Sequence, residues 1–202
     1  MNIHPADNEN ISKTAEIIQK GGIAAYPTET VYGIGCNPRN EDACNRVLRI
    51  KVREGKPLPI ICGDMEAAEK AAKFNETARR LASYFWPGPL MLILPVKGAY
   101  PHAVTQGTTT IGLRIPGGEV ARKLAQYSGG CVVSTSANKS GQPPATTARE
   151  AWRQLGDVVD IILDGGPSPE SGGSTVLDLT GERPKVLRVG PISEDEIKKV
   201  LD

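Results

Sequence analysis

KGGIAAYPTETVYGIG, residues 20–35, is the stretch of the chain that best indicates its fold. Apolar residues recur at helical spacing over residues 10–20, and Gly21-Gly22 is the signal that ends this predicted helix. Residues 23–26 form a short apolar run closed by Pro27, which is typical of a buried strand that runs into a loop. A helix followed by a buried strand indicates an α/β protein.

The same patterns continue along the rest of the chain. They predict helices at residues 40–51, 65–73, 76–85 and 118–127, a helix that opens at Thr147 with Glu150 as a capping-box residue, and a last helix boxed by Ser193 and Glu196. They predict strands at residues 58–62, 91–96, 110–115, 131–134, 161–163, 175–179 and 185–189, the last two as a hairpin. We therefore expect one α/β domain over residues 1–202, with a twisted mixed parallel and antiparallel sheet surrounded by helices.

Composition excludes several classes of protein. The 202 residues carry a formal charge of +1 from 24 basic and 23 acidic side chains, so no global field draws the chain to nucleic acid or to a membrane. Aromatic residues make up 4%, too few for a platform that stacks single-stranded nucleic acid. No apolar stretch approaches the roughly 18 residues of a membrane span, and the start of the chain does not resemble a signal peptide. These features predict a cytoplasmic location without a membrane partner.

The loop that follows Pro27 concentrates hydrogen-bonding side chains. It carries Thr28, Glu29, Thr30 and Tyr32 ahead of Gly33. On composition alone, a polar turn whose threonines bond the local backbone is the favoured interpretation. Because ligands of α/β sheets bind in loops beyond the strand ends, the loop is also a candidate binding segment.

A positive patch lies near the end of the second predicted helix. Within residues 46–56 there are five basic side chains against the single acid Glu54. If the chain is extended from Lys51, Lys51 and Arg53 point to one side and could grip phosphate or carboxylate oxygens. The alternative is that these cations complement the carboxyl end of the helix.

Further polar groups follow other predicted strands. The segment Ser134-Thr-Ser-Ala-Asn138 brings hydroxyls and an amide to one strand end, whereas no P-loop or complete dinucleotide fingerprint is present. Arg114 lies in a strand pattern, where a buried cation needs a partner or a cleft. With Arg188 on a later strand and the positive patch, it indicates a site for a multiply charged anion.

Taken in order, these segments resemble one family, the YrdC-like proteins, and specifically the L-threonylcarbamoyladenylate synthases. The resemblance covers nearly the whole chain and rests on a set of motifs: residues 20–35, the Lys-x-Arg of Lys51 and Arg53, Trp86-Pro-Gly-Pro89, Gly112-Leu-Arg-Ile-Pro116, Ser134-Thr-Ser-Ala-Asn-Lys-Ser-Gly141, Gly173-Ser-Thr-Val176 and Leu187-Arg-Val-Gly190. It implies the short form of the family and a deep, positively charged concave cavity.

The resemblance also implies an activity. Family members combine ATP, L-threonine and bicarbonate into threonylcarbamoyl-AMP and pyrophosphate, with Mg²⁺ accompanying ATP. The product serves the threonylcarbamoyladenosine modification of tRNA, so tRNA and the downstream threonylcarbamoyl-transferase complex are implied partners. No carboxylate pair in the sequence identifies metal ligands.

Roles follow from the resemblance for particular residues. Lys51 and Arg53 are implied catalytic residues that hold the triphosphate and the reacting carboxylates. The implied ATP-binding set is Lys51, Arg53, Arg114, Ser134, Ser136, Asn138, Ser174 and Arg188, and the implied threonine-binding set is Thr28, Thr30 and Tyr32.

One segment departs from the family pattern. Many relatives have a proline after Lys-x-Arg, whereas here Glu54 follows Arg53 and Lys56-Pro-Leu58 arrives about one residue early, so roles for Lys56 and Cys62 stay open. Two other functions also stay open, namely a noncatalytic module that binds double-stranded RNA or tRNA and an enzyme that forms a carbamoyl-adenylate from another substrate.

Overall fold

Strands and helices alternate along most of the chain, as the apolar pattern predicts. The computed structural model describes residues 2–52, 55–169 and 173–201. The strands in this part of the chain are β1 (Ile3–Pro5), β2 (Ala24–Tyr26), β3 (Gly33–Gly35), β4 (Ile60–Cys62), β5 (Leu90–Pro95), β6 (Thr110–Arg114), β7 (Cys131–Val133), β8 (Thr135–Ser136), β9 (Ile161–Asp164), β10 (Thr175–Asp178) and β11 (Lys185–Arg188). The helices are α1 (Asn8–Gln19), α2 (Glu41–Lys51), α3 (Met65–Ala71), α4 (Glu76–Phe85), α5 (His102–Thr105), α6 (Glu119–Tyr127), α7 (Ala148–Leu155) and α8 (Glu194–Leu201).

The strands are divided between two mixed sheets. A five-stranded sheet has the order β1-β9-β2-β3-β8, in which β9 runs parallel to β1 and β2 while β3 is antiparallel to β2 and β8. A six-stranded sheet has the order β11-β10-β5-β6-β4-β7, with parallel pairs β10–β5 and β4–β6. The predicted α/β class with mixed parallel and antiparallel pairing is confirmed. The prediction of a single sheet is wrong, because the strands form two sheets.

The chain passes from one sheet to the other at a single serine. Strand β7 pairs with β4 in the six-stranded sheet, and two residues later β8 pairs with β3 in the five-stranded sheet. Val133 donates its amide to the Cys36 carbonyl at 2.9 Å, and the next amide, of Ser134, donates to the Pro59 carbonyl at 2.9 Å. Ser134 therefore lies at the junction of the two sheets.

Local side chains begin the helices where the sequence predicts. Asn40, Asp64 and Asn75 each accept a hydrogen bond from the third amide beyond them, at 2.8–2.9 Å, and so satisfy one of the unpaired donors of a helix start. The capping box of the last helix is also confirmed, because Ser193 and Glu196 exchange backbone-to-side-chain hydrogen bonds.

Two apolar clusters form the core. The larger one contains residues of both sheets, such as Ile34 of β3 and Leu92 of β5, both fully buried. The smaller one packs α1 and α6 together, through residues such as Ile18 and Leu124. Among the described residues, none of the helices is long and apolar enough to cross a membrane.

Four short elements were not predicted, namely β1, β3, β8 and α5. The apolar pattern predicts loops at β3 and β8, because β3 begins and ends with glycine and β8 consists of two polar residues, so neither contains an apolar run. Gly35 is nevertheless required in β3, since a Cβ there would lie 1.8 Å from the Val133 carbonyl oxygen of β7. The two backbones approach so closely that no other residue fits without movement.

Candidate active site

A cavity of about 940 Å³ lies where loops of the two sheets meet. The predicted site residues that the structure describes all line it, although they are spread over the sequence. They are Thr28, Thr30, Tyr32, Lys51, Arg114, Ser134, Ser136, Asn138, Ser174 and Arg188. Arg53, the remaining predicted site residue, lies outside the described residues. Residues predicted from separate motifs therefore line one cavity.

Lys51 joins helix α2 to the polar segment after β8. It is the last residue of α2, so the extended arrangement proposed for Lys51 is wrong at this residue, whose backbone is helical. Its ammonium donates to the Asn138 side-chain oxygen at 2.7 Å and to the carbonyls of Ser136 and Asn138 at 2.8 and 2.9 Å. An ammonium carries three protons, so these contacts engage its full donor capacity.

Asn138 is held from both ends of its amide. Its oxygen accepts from Lys51, while its nitrogen donates to the Gln142 carbonyl at 2.6 Å and to the Lys139 carbonyl at 3.0 Å. The amide therefore fixes the turn that follows β8. Through Lys51 and Asn138, the end of α2 and this turn are held together beside the cavity.

The threonines after β2 bond to their own loop. The Thr28 hydroxyl donates to the Val31 carbonyl at 2.6 Å and accepts from the amides of Thr30 and Val31 at 3.1 and 3.3 Å. The polar turn favoured by composition is therefore confirmed, and the same turn lines the cavity. Local hydrogen bonding fixes the shape of this wall.

Tyr32 contributes a buried ring rather than a basic group. Its hydroxyl donates to the Gly166 carbonyl at 2.8 Å, and the side chain is fully buried. Burial, together with the nearby negative charge of Asp164, raises the pKa of Tyr32 to about 12. A phenol with this pKa stays protonated at neutral pH and does not act as a base.

Arg114 has the partner that its position in a strand requires. Its side chain is only 5% exposed, and it forms an ion pair with Glu29 and donates to the Gly88 carbonyl at 3.2 Å. Burial alone would raise the pKa of Glu29, but the charge and hydrogen bonds of Arg114, together with backbone amides that include Gly118, lower it. Glu29 does not line the cavity itself, but it holds Arg114 there, and the sequence motifs did not assign it this role.

Arg188 brings a second guanidinium to the cavity. Its Nε donates to the Ser174 carbonyl at 2.9 Å, which links β11 to the residue just before β10. Desolvation, and then repulsion by the charge of Arg114, lower the pKa of Arg188. The positive charges of the two arginines therefore repel each other across the cavity, and an anion bound between them would relieve this repulsion.

Four cationic side chains contribute to the cavity lining, and the charge of one of them, Arg114, is paired with Glu29. Lys51, Lys56, Arg114 and Arg188 line it, and the described lining residues include no Asp or Glu. Nor do the described residues contain a group of three or more side chains suited to holding a metal. Cationic groups and hydroxyls of this kind bind phosphate and carboxylate oxygens, whereas a Mg²⁺ site built from protein carboxylates does not fit here.

Fold and cavity together define the class: an α/β protein with a hydroxyl-lined cavity that carries four cationic side chains where two mixed sheets meet. A family model named Sua5/YciO/YrdC, with the description telomere recombination, matches residues 16–190. The chain therefore belongs to the Sua5/YciO/YrdC family, which confirms the resemblance stated from the sequence.

Individual relatives agree with this assignment. The threonylcarbamoyl-AMP synthase of Pyrococcus abyssi is 40% identical over 189 residues, which are 93% of this chain and 56% of that protein. A putative threonylcarbamoyl-AMP synthase of Mycobacterium tuberculosis is 39% identical over 186 residues, which are 91% of this chain and 85% of that protein. The chain thus spans little more than half the length of the Pyrococcus relative.

A solved structure shows the same fold. The crystal structure of Pyrococcus abyssi Sua5 complexed with L-threonine superposes with a TM-score of 0.92 at 38% sequence identity. The match covers 98% of this chain and 59% of the Sua5 chain. The likeness includes both sheets and thus the segments that line the cavity.

Proposed function

We propose that this protein is a threonylcarbamoyl-AMP synthase, which makes threonylcarbamoyl-AMP and pyrophosphate from L-threonine, bicarbonate and ATP. The proposal is supported by relatives of that name and by a Sua5 relative crystallised with L-threonine. The observation that carries it is the cavity of about 940 Å³, lined by four cations and no described acid. This volume lies at the upper end of the roughly 300–1,000 Å³ typical of small-molecule sites, which suits two substrates at once.

The reaction needs charge stabilisation more than a nucleophilic side chain. Bicarbonate yields carbon dioxide and hydroxide, the threonine amine adds to the carbon dioxide to give a carbamate, and the hydroxide takes the amine proton to become water. A carbamate oxygen then attacks the α-phosphorus of ATP, the bond to the β-phosphate oxygen breaks, and pyrophosphate leaves. Because negative charge spreads over the phosphate oxygens, positioned cations and hydrogen-bond donors supply most of the catalysis.

Arg114 and Arg188 are the proposed anchors for the phosphates. Arg114 is held by Glu29 and the Gly88 carbonyl, and Arg188 by the Ser174 carbonyl, so both guanidiniums are oriented before a ligand binds. Such preorganisation reduces the ordering cost of binding. The hydroxyls of Ser134, Ser136 and Ser174 complete the proposed nucleotide site.

Lys51 acts by position and by charge in this proposal. Its protons point to the segment from Ser136 to Asn138, so it orders the wall that would contact the nucleotide. Arg53 and the threonine-binding roles of Thr28 and Thr30 are carried over from the family resemblance. Since the cavity offers no carboxylate set, Mg²⁺ is proposed to enter as the MgATP complex, held by the phosphates.

The proposed partners follow from the product. We propose that threonylcarbamoyl-AMP passes to a transferase that modifies an adenosine of tRNA, and that this takes place in the cytoplasm. No observation on the described residues favours a noncatalytic RNA-binding role.

The test measures pyrophosphate release with ATP, Mg²⁺ and bicarbonate, comparing L-threonine with L-serine and with no amino acid. We expect release that depends on threonine, with the mass of threonylcarbamoyl-AMP in the quenched mixture. Arg188→Gln should lose most of this activity, whereas Arg183→Gln, on the same hairpin but not in the cavity lining, should retain it. Threonine-independent release, or release without that adenylate, would contradict the proposal.

A further inference from the structure

A second cavity of about 300 Å³ lies apart from the first and has no part in the proposed reaction. Its lining includes Cys131, Arg39 and Tyr100. The Arg39 guanidinium stacks on the Tyr100 ring, 3.8 Å from the ring centroid, and also donates to the Ala99 carbonyl. A fixed cation therefore stands in the same cavity as a partly exposed thiol.

Cys131 faces a second cysteine on the neighbouring strand. Cys62 of β4 and Cys131 of β7 are directly paired residues of an antiparallel ladder, and their sulfur atoms are 3.3 Å apart. The Gly63 amide donates to the Gly130 carbonyl at 2.9 Å, so the adjacent pair is a hydrogen-bonded one. Such pairs alternate, so Cys62 and Cys131 form a non-hydrogen-bonded pair, with Cα atoms about 4.5 Å apart.

This geometry fits a disulfide without backbone movement. Disulfides join residues whose Cα atoms lie about 4.4–6.8 Å apart, with a sulfur–sulfur bond of about 2.05 Å. Rotation of the two side chains would close the remaining gap of the 3.3 Å contact.

The two thiols differ in burial and in the charges around them. The hydrogen bond with Cys62 lowers the pKa of Cys131, burial opposes this, and the charge of Arg39 lowers it further, with Asp64 acting in the opposite sense. The same hydrogen bond and burial raise the pKa of Cys62 well above its usual value. Cys131 therefore ionises first, and the thiolate is the nucleophilic form of cysteine.

We propose that Cys131 and Cys62 are a peroxide-reactive pair, in which Cys131 attacks a hydroperoxide that enters the second cavity and Cys62 then resolves it to a disulfide. In the first step, the Cys131 sulfur bonds to one peroxide oxygen, the O–O bond breaks, and the leaving hydroxide takes a proton to become water. In the second, the Cys62 sulfur bonds to the Cys131 sulfur, the S–O bond breaks, and a second water leaves with the Cys62 proton. Hydrogen peroxide accepts the two electrons that the thiols lose.

A second cysteine pair in the same chain is a natural control. The sulfur atoms of Cys36 and Cys44 are 3.8 Å apart and both residues are fully buried. Their mutual hydrogen bond and burial raise the pKa of Cys36. Because both side chains are fully buried, proximity alone should leave this pair unreactive.

The experiment treats the reduced full chain with hydrogen peroxide under native conditions, removes peroxide with catalase, and alkylates the remaining thiols after denaturation. We expect two of the four cysteines to escape alkylation, a peptide map that links Cys62 to Cys131, and recovery of all four on reduction. Loss of the Cys131 thiol should be at least about tenfold faster than loss of Cys36, because Cys131 is partly exposed in the second cavity whereas Cys36 is fully buried.

Variants separate the two steps. In Cys62→Ala, Cys131 should stop as a sulfenic acid that dimedone traps, whereas Cys36→Ala should still form the disulfide. A Cys36–Cys44 link, equal rates for both pairs, or four alkylated thiols after peroxide treatment would overturn the proposal. The peptide map of the unmodified chain decides this even if Cys62→Ala does not fold.

Discussion

Replacing Glu29 with glutamine removes the charge that balances Arg114. We expect this substitution to lower the free energy of unfolding by more than a substitution in an exposed ion pair does. The Arg114 side chain is 5% exposed and that of Glu29 is 22% exposed, so the pair is largely withdrawn from water. Removing one member of a buried ion pair costs about 3–5 kcal/mol, because the remaining charge is left without a partner. The partial exposure of Glu29 favours the lower end, about 3 kcal/mol. In a domain of this size that lowers Tm by roughly 6–12 °C.

The assay is urea unfolding of Glu29→Gln, Arg114→Met and the double variant. The double variant should be more stable than the sum of the two single losses predicts, because no charge is then left unpaired. Glu9→Gln is the matched control: its partner Lys13 is 2.6 Å away, but both side chains are more than half exposed. A pair this exposed to solvent contributes little to stability. A Glu29→Gln loss no larger than that of Glu9→Gln would refute the reasoning.

The same ion pair sets a dependence on pH. Because the folded pKa of Glu29 lies below its usual value of 4.5, the folded state favours the ionised carboxylate. The pair therefore contributes its stability above pH 4.5 and loses it as the pH falls through the lowered folded value. The difference in unfolding free energy between the wild type and Glu29→Gln should be full at pH 7 and shrink below pH 4.5. A difference that stays constant into acid would contradict this.

Three further substitutions test other parts of the structure. Lys51→Met should lower stability by about 2–4 kcal/mol in urea unfolding, because buried oxygens lose their donor, and pyrophosphate release should fall with it. Gly35→Ala should cost at least about 1–3 kcal/mol, since its Cβ would lie 1.8 Å from the Val133 carbonyl oxygen, whereas Gly181→Ala, with its nearest contact at 3.9 Å, should change unfolding by less than about 0.5 kcal/mol. Arg53→Ala should lower kcat/KM roughly 10- to 100-fold if the residue contacts phosphate, as the family resemblance implies, and unchanged kinetics would remove that role.

All the described helices except α5, and the strands that contain an apolar run, could be predicted because their signals are local. Asn40, Asp64 and Asn75 stand where a capping side chain is needed, and each helix begins there. The hairpin of β10 and β11 is marked by the turn residues between two apolar runs. Strands β3 and β8 carry no such signal, because neither contains an apolar run and β8 pairs with β3 across about one hundred residues of sequence.

The contacts within the site depend on tertiary structure. The requirement that Arg114 have a partner was visible in its strand pattern, and Glu29 was the only acid in the candidate loop, but nothing in the spacing joined the two. The extended backbone predicted for Lys51 is wrong, and the reason is that helix α2 continues to this residue. Its backbone is helical, and its side chain reaches the turn at Asn138, which is 87 positions away in sequence.

The chain crosses from one sheet to the other at Ser134, and this crossing limits where residues can be inserted or deleted. Side chains of a strand alternate between two faces, so one added or deleted residue turns all that follow to the opposite face. Between β7 and β8 such a change would disrupt the register of a strand in one sheet or the other, because both strands are paired within two residues of each other. It would also move Ser136 and Asn138 away from Lys51. We therefore expect insertions to be tolerated in the exposed turn at residues 181–184, which joins β10 to β11, and not at the sheet junction.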